Sequence, residues 1–318
     1  MGRSNLIVDS GQVDSTDRVR RAVVTGGTGF IGKRVTCRLR EQGIDAIIVS
    51  RSAEGEQAVR ADIRDRDTLR RVLQPGDTVI HLASSTNPTT SEVDRIRDVE
   101  ENLVGTIHLL ETCVERGVDK LVLASSGGTV YGVPTIVPIP ESHETTPISS
   151  HGAMKLAIEK YVHVFSAQFG LRYVILRCAN AYGPGQTGAS GQGVIGRAIV
   201  TALRDETLEV WGDGSLVRDF VYVADVADAF ALAATRATAS TILNIGSGRP
   251  TSIREIIDLV GRAASRPLQV RFTAPRRLDV PANVLDITKA GLELQWKPST
   301  PLEEGITRSY EWAREQAG

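Results

Sequence analysis

The chain has little of what would set it apart from ordinary globular proteins. Cysteine is scarce: Cys37, Cys113 and Cys178 are the only three in 318 residues. Three cannot build a disulfide framework and their spacing matches no metal site, so each reads as a small core residue. Neither sign of charge dominates. Lys and Arg number 37 against 38 Asp and Glu, giving a formal net charge of -1 and a sequence pI near 6.5. A basic nucleic-acid binder would carry a pI above about 9. No apolar run reaches the roughly 18 residues of a membrane span. Residues 1–20 lack the apolar core of a signal peptide and read as a disordered tail on a cytoplasmic protein. Repeats and low-complexity tracts are missing too. The chain is long enough to bury roughly three quarters of its unfolded surface, so core size is no limit.

What is present is an alternation of strand and helix. Short apolar, β-branched runs at 22–25, 45–49, 58–61, 77–81, 120–124 and 172–177 read as buried strands. Helical patterns separate them, the longest at 92–116 and 152–168. This order implies βαβ units, right-handed crossovers and a doubly wound parallel sheet of the α/β class. The texture changes near residue 180. Residues 181–193 hold five glycines and no aliphatic run, which reads as a loop. Shorter elements and frequent prolines follow. The expected division is a dinucleotide-binding domain over 21–180 and a substrate lobe over 181–318, with about 217–246 packing back on the first.

Thr25-Gly26-Gly27-Thr28-Gly29-Phe30-Ile31-Gly32 lies between the first strand and first helix. Three-residue spacing of Gly26, Gly29 and Gly32 gives a tight turn, room for backbone to approach a pyrophosphate, and close helix packing. Phe30 and Ile31 open a helix whose free N–H groups and positive dipole end suit phosphate. An acid about 20 residues further on would hold the adenosine ribose 2′-hydroxyl. None is there: the strand ends Val49-Ser50-Arg51-Ser52, and the first acid is Glu54. Ser50 and Arg51 suit a 2′-phosphate, so NADP(H) is expected ahead of NAD(H). The alternative is that Arg51 is a solvated loop residue.

With these motifs the chain resembles the extended short-chain dehydrogenase/reductase family, in its nucleotide-sugar epimerase, dehydratase and ketoreductase branch. The resemblance runs over about residues 21 to 315. It rests on the glycine loop, on Asp62-Ile63, on His81-Leu82-Ala83 and on Asn102 in Glu101-Asn-Leu-Val-Gly-Thr106. It rests also on Ser125-Ser-Gly-Gly-Thr-Val-Tyr-Gly132, Arg177-Cys-Ala-Asn180 and Arg218-Asp-Phe-Val-Tyr-Val223. The resemblance implies a Rossmann-type domain with a smaller C-terminal lobe. It implies that Asp62 and Ile63 contact adenine, and that Leu82, Ala83 and Asn102 line the cofactor. Asn180, Arg218 and one of Arg276 and Arg277 are implied as contacts to the diphosphate of a nucleotide sugar. A homodimer through the 92–116 and 152–168 helices is implied as well.

The family's proton donor and acceptor is a tyrosine four residues before a lysine. Here Lys155 is present and His151 stands at the tyrosine position. Residues 151 and 155 lie one helical turn apart on one face, so both can reach one ligand. Lys155 is expected on the nicotinamide ribose. His151 has three readings: an imidazolium acid, a group that only positions substrate, or the mark of an inactive site. The usual serine or threonine position holds Gly127, which leaves Ser126 and Thr129 to polarise a carbonyl. The Asp-Glu pair typical of sugar dehydratases is missing, with Gly128 and Thr129 in its place.

These readings favour NADPH-dependent reduction of a nucleotide-linked keto-sugar, for example a 4-keto-6-deoxyhexose. An NAD-dependent nucleotide-sugar 4-epimerase and a catalytically silent NADP(H)-binding protein are the alternatives. Asp225 and Asp228 are read as capping and starting a helix rather than holding a metal, and no metal site is expected.

Overall fold

The computed structural model describes residues 19–186, 193–237, 239–276 and 279–317. The tail expected at 1–20 falls almost wholly outside them, and so does Arg277.

The first half runs β1 (Arg21–Thr25), α1 (Phe30–Glu41), β2 (Asp45–Ser50), β3 (Ala58–Arg60), α2 (Arg66–Val72), β4 (Thr78–His81), α3 (Pro88–Val93), α4 (Arg95–Asp98), α5 (Gly105–Arg116), β5 (Lys120–Ser126), α6 (Ser150–Phe169) and β6 (Arg172–Cys178). Then come β7 (Asn180–Tyr182), α7 (Val194–Arg204), β8 (Leu208–Trp211), β9 (Val217–Arg218), β10 (Phe220–Tyr222), α8 (Val223–Thr235) and β11 (Thr241–Ile245). The chain closes with β12 (Thr251–Ser252), α9 (Ile253–Ala263), β13 (Val270–Thr273), β14 (Ala282–Asn283), α10 (Thr288–Leu294) and α11 (Leu302–Ala317).

Seven strands form one parallel sheet in the order β11-β6-β5-β4-β1-β2-β3. Alternate residues of its strands face opposite layers. Val24, Ile80, Val122 and Val174 pack under α1 and α8, whereas Val23, Val79, Leu121 and Ile175 pack under α2, α5 and α6. The order reverses between β1 and β4, the place where such sheets open a crevice at their carboxyl ends. Register brings those ends level, because Thr25 pairs with both Val49 and His81. The C-terminal lobe has its own core, including Ile195, Ile199, Leu208, Val210, Ile256 and Val260.

Three sequence readings are corrected. The expected 92–116 helix is broken. Asp94 ends α3 and accepts from Arg97 N at 3.0 Å, which starts α4. A π-helical turn, Val99–Val104, then precedes α5. Asn102 Nδ2 donates to the Asp98 carbonyl at 3.2 Å within that turn. The expected 181–193 loop opens as strand β7, paired in parallel with β10. Cys37 is exposed on α1 rather than in the core, while Cys113 and Cys178 are buried.

Candidate active site

The crevice holds a cavity of about 220 Å³ lined by Gly26, Gly29, Ser50, Arg51, Asp62, Ile63, Leu82, Ala83, Glu101 and Asn102, among others. Its floor is shaped for close approach. A Cβ on Gly26, which has φ 73°, would lie 2.6 Å from Ala83 N, and one on Gly32 would lie 2.2 Å from the Gly26 carbonyl. Gly29 is the N-cap of α1 and no side chain caps that end, so the first N–H groups stay available. Phe30 and Ile31 lie in this first turn, half-buried. The cradle therefore fits a dinucleotide pyrophosphate.

His81 underlies the cradle. Its Nδ1 lies 2.6 Å from Thr25 Oγ1, and Nε2 2.9 Å from Thr106 Oγ1. Thr106 gives its own proton to the Asn102 carbonyl at 2.6 Å. The imidazole must then be protonated on Nε2, with Thr25 donating to Nδ1. Burial, with Lys155 nearby, pushes this ring down to about 3. Asn102 is fully engaged: Oδ1 accepts from Ser85 N at 2.9 Å, and Nδ2 donates to Thr86 and Asp98. It shapes the loop after β4.

At the far end of the cavity the Ser50 and Thr28 hydroxyls meet at 2.6 Å. Asp62 is held by the Arg64 fork, both contacts at 2.9 Å, and accepts from the Arg64 N–H as well. Arg51 is not a free guanidinium. Its Nη1 lies 3.7 Å from Glu101 Oε2. The NADP(H) expectation rested on the absent strand-end acid and on Ser50 and Arg51, and the structure sets a carboxylate from another element beside that arginine. Glu101 was missed because it comes from the central helical region, not from the strand end where sequence rules look.

The residues of the His151 region lie at the end of β5 and the start of α6, outside the lining of this cavity. Ser149 caps α6 through Gly152 N, which puts His151 in the first turn. A Cβ on Gly152 would lie 2.6 Å from the Thr129 carbonyl, so the 126–129 segment packs hard against that turn. His151 is only 7% exposed, and no hydrogen bond is made by its ring Nδ1. Its Nδ1 is fully buried, leaving Nε2 as the ring nitrogen that can meet a ligand. Thr129 Oγ1 is buried and unpartnered too, whereas Ser126 is half-buried at the end of β5. Gly127 is glycine for space: a Cβ there would meet Leu285 Cδ1 at 2.6 Å and the Arg177 carbonyl at 3.0 Å. Lys155 Nζ donates to the Ala124 carbonyl at 3.2 Å. Burial lowers its pKa.

Burial first, and Lys155 second, push the His151 imidazole down to about 4. The positive end of α6 acts in the same sense. Of the three readings of His151, these surroundings disfavour the imidazolium acid at neutral pH. Beneath it lies a buried ion pair, Arg177 with Glu159 at 2.7 Å, tied to Tyr131, Asn244 and Ser125.

A second cavity, about 260 Å³, is lined by Asn180, Arg197, Trp211, Arg218, Arg276 and Asp279, among others. Arg218 is largely buried and donates to the Val217 and Val280 carbonyls at 2.8 Å. Arg276 pairs with Asp279 at 2.8 Å and stacks on Trp211, 4.1 Å from the ring centre. Asn180 gives one amide hydrogen to the Asp219 carbonyl at 2.9 Å and keeps another. Asp225 and Asp228 lie within α8, whose N-cap is Tyr222, so neither is its cap. Asp225 accepts from Ser299 and Thr300, and Asp228 pairs with Arg38 at 2.6 Å. Among the described residues no group of three or more His, Cys, Asp or Glu could hold a metal. No described helix is long and apolar enough to cross a membrane.

Residues 22–246 match the model of the NAD dependent epimerase/dehydratase family. The chain is 36% identical over 301 residues to a putative UDP-glucose 4-epimerase of Methanocaldococcus jannaschii, covering 92% of this chain and 98% of that protein. It resembles the Thermotoga maritima UDP-glucose 4-epimerase solved with UDP-glucose, with TM-score 0.89, 34% identity, and 94% and 100% of the two chains covered. The Thermus thermophilus UDP-glucose 4-epimerase solved in complex with NAD is similar as well, at TM-score 0.86 and 34% identity over 92% and 99% of the chains.

Proposed function

The chain belongs to the NAD dependent epimerase/dehydratase family, and we propose that it interconverts a nucleotide-linked hexose and its C4 epimer, with NAD(H) as cofactor and His151 in place of the usual tyrosine. A uridine diphosphate hexose is the first substrate to test, since similar proteins carry that name. When bound, the dinucleotide supplies a reversible hydride acceptor. The glycine cradle and Ala83 would hold its pyrophosphate, and Lys155 a ribose hydroxyl.

The observation that carries this reading is the placement of His151, buried in the first turn of α6 one helical turn from Lys155, surroundings that favour a neutral ring. An epimerase begins with a sugar alcohol and needs a base first. The neutral imidazole takes the hydroxyl proton at Nε2. The resulting imidazolium, disfavoured by burial and by Lys155, readily returns it, so one group serves both directions. A ketoreductase would need the imidazolium at the outset, which the site resists. The Thr129 or Ser126 hydroxyl donates to the same sugar oxygen. Arg218, Arg276 and Asn180 hold the diphosphate, for which the planar guanidinium fork is suited.

The test is to denature the purified protein, identify the released nucleotide by mass spectrometry, and assay UDP-glucose and UDP-galactose interconversion. NAD(H) and turnover are expected. Released NADP(H), with consumption of NADPH on a keto-sugar, would overturn the reading in favour of a ketoreductase. We further propose a second copy as partner. Val93, Ile96, Val99 and Val104 are exposed along the α3–α5 stretch, and Tyr161 and Val164 on the adjoining α6. Light scattering should give a dimer, and Ile96→Asp a monomer.

A further inference from the structure

We propose that Glu101 selects the dinucleotide: its carboxylate receives the adenosine ribose hydroxyls at the place the missing strand-end acid leaves open, and it excludes a 2′-phosphate by its charge and by occupying Arg51. This rests on the reading that the 220 Å³ cavity is the dinucleotide site.

The location follows from the fold. The glycine cradle fixes the pyrophosphate, and the end of β2 beside it fixes the ribose of the adenosine half. Ser50, Arg51 and Ser52 from that strand end and Glu101 from the π-helical turn line the same cavity. Two carboxylates line it, and they differ in what they have left to accept. Asp62 spends both oxygens on the Arg64 fork, with the Arg64 N–H added on one. Glu101 accepts from Arg97 Nε at 2.7 Å through Oε1. Its Oε2 is buried and receives no hydrogen bond. The Ser85 hydroxyl, on the same cavity, gives its hydrogen to Asn102 Oδ1 at 3.3 Å. Arg51 Nη1, at 3.7 Å, neutralises Oε2 without bonding to it, on a side chain that is 59% exposed and can move aside. An anionic oxygen with acceptor capacity, at the ribose end, matches two neighbouring hydroxyls and repels a phosphate. Burial opposes its charge, but the Arg97 hydrogen bond and the positive charges of Arg97 and Arg51 hold the carboxyl below its usual range.

The test is equilibrium titration of the full-length protein with NADH and with NADPH, followed by nicotinamide fluorescence. The unaltered protein should bind NADH more tightly. Glu101→Gln should weaken NADH and strengthen NADPH, moving the ratio of dissociation constants by about 10- to 100-fold, the range for a hydrogen bond to a charged group. Arg51→Ala added to Glu101→Gln should reverse the NADPH gain while NADH binding persists at the Glu101→Gln level, which a misfolded variant would not reproduce. Glu101→Asp, which keeps the charge but draws it back, should lose NADH affinity while still rejecting NADPH. A ratio unmoved by Glu101→Gln, in a protein that still binds NADH, would overturn the role of Glu101 alone. Tighter NADPH binding by the unaltered protein would overturn the proposal and the NAD assignment together. Binding of neither would overturn the dinucleotide reading itself.

Discussion

Epimerisation through His151 should show a kcat/KM that is flat from about pH 5.5 to 8 and declines only on the acid side. The magnitude follows from the site. With the imidazole brought to about 4 by burial and Lys155, roughly one ring in a thousand is charged at pH 7. A step that starts from the neutral ring keeps its full rate across that range. A step that starts from imidazolium loses about tenfold per pH unit above 4, hence about a hundredfold between pH 5.5 and 7.5. Removing the group in His151→Ala should cost 10²–10⁴ in kcat, the usual weight of a positioned acid–base group, with KM for the sugar nucleotide little changed. Initial rates of UDP-hexose interconversion, with products separated by ion-exchange chromatography, would measure both. A kcat/KM falling steadily from pH 5.5 to 8 would refute the base assignment. An unchanged rate in His151→Ala would remove His151 from the chemistry.

Gly32→Ala should abolish tight NADH binding, because its Cβ would sit 2.2 Å from the Gly26 carbonyl in the cradle. The strain should also lower stability by about 1–3 kcal/mol, read by thermal unfolding. Arg218→Ala should raise the dissociation constant for UDP-sugar about 10- to 100-fold while leaving NADH binding intact; calorimetry separates the two. The fold should be acid-sensitive through His81. Its native value near 3 lies below the ordinary 6.5, so the unfolded chain takes up the proton first as pH falls. That stability is complete above about pH 6.5 and lost progressively toward pH 3. About 2–3 kcal/mol should be gone by pH 4.5, measured by urea unfolding against a His81→Asn control.

Much of the architecture was legible because the sheet is buried on both faces. Its strands read as continuous β-branched runs, and the glycine spacing marks a backbone that cannot tolerate a Cβ. What escaped was set by contacts distant in sequence. The 92–116 helix breaks because Asp94 and Asn102 spend side chains on the backbone, which a periodicity count does not see. The proton state of His151 depends on its burial, and composition gives no hint of that. The reading of Arg51 could not include Glu101, which is fifty positions away on another element. In each case the residue types were noticed and their partners were not. The Arg276 and Asp279 pair shows the same limit, since only the structure gives the stacking on Trp211.

The seventh strand of the main sheet carries a consequence for how the chain is made. Strand β11 borders β6 but emerges from the ribosome only after the whole of β7 through α8. At about 5–20 residues per second, that delay lasts several seconds. During it, the Val174–Leu176 edge of β6 has no neighbour and α8 is not yet there to cover that layer. An unpaired apolar strand edge is a template for association with another chain. The nascent protein should therefore be most in need of a chaperone between completion of β6 and emergence of β11, and a truncation in that interval should aggregate rather than yield a free-standing nucleotide-binding domain.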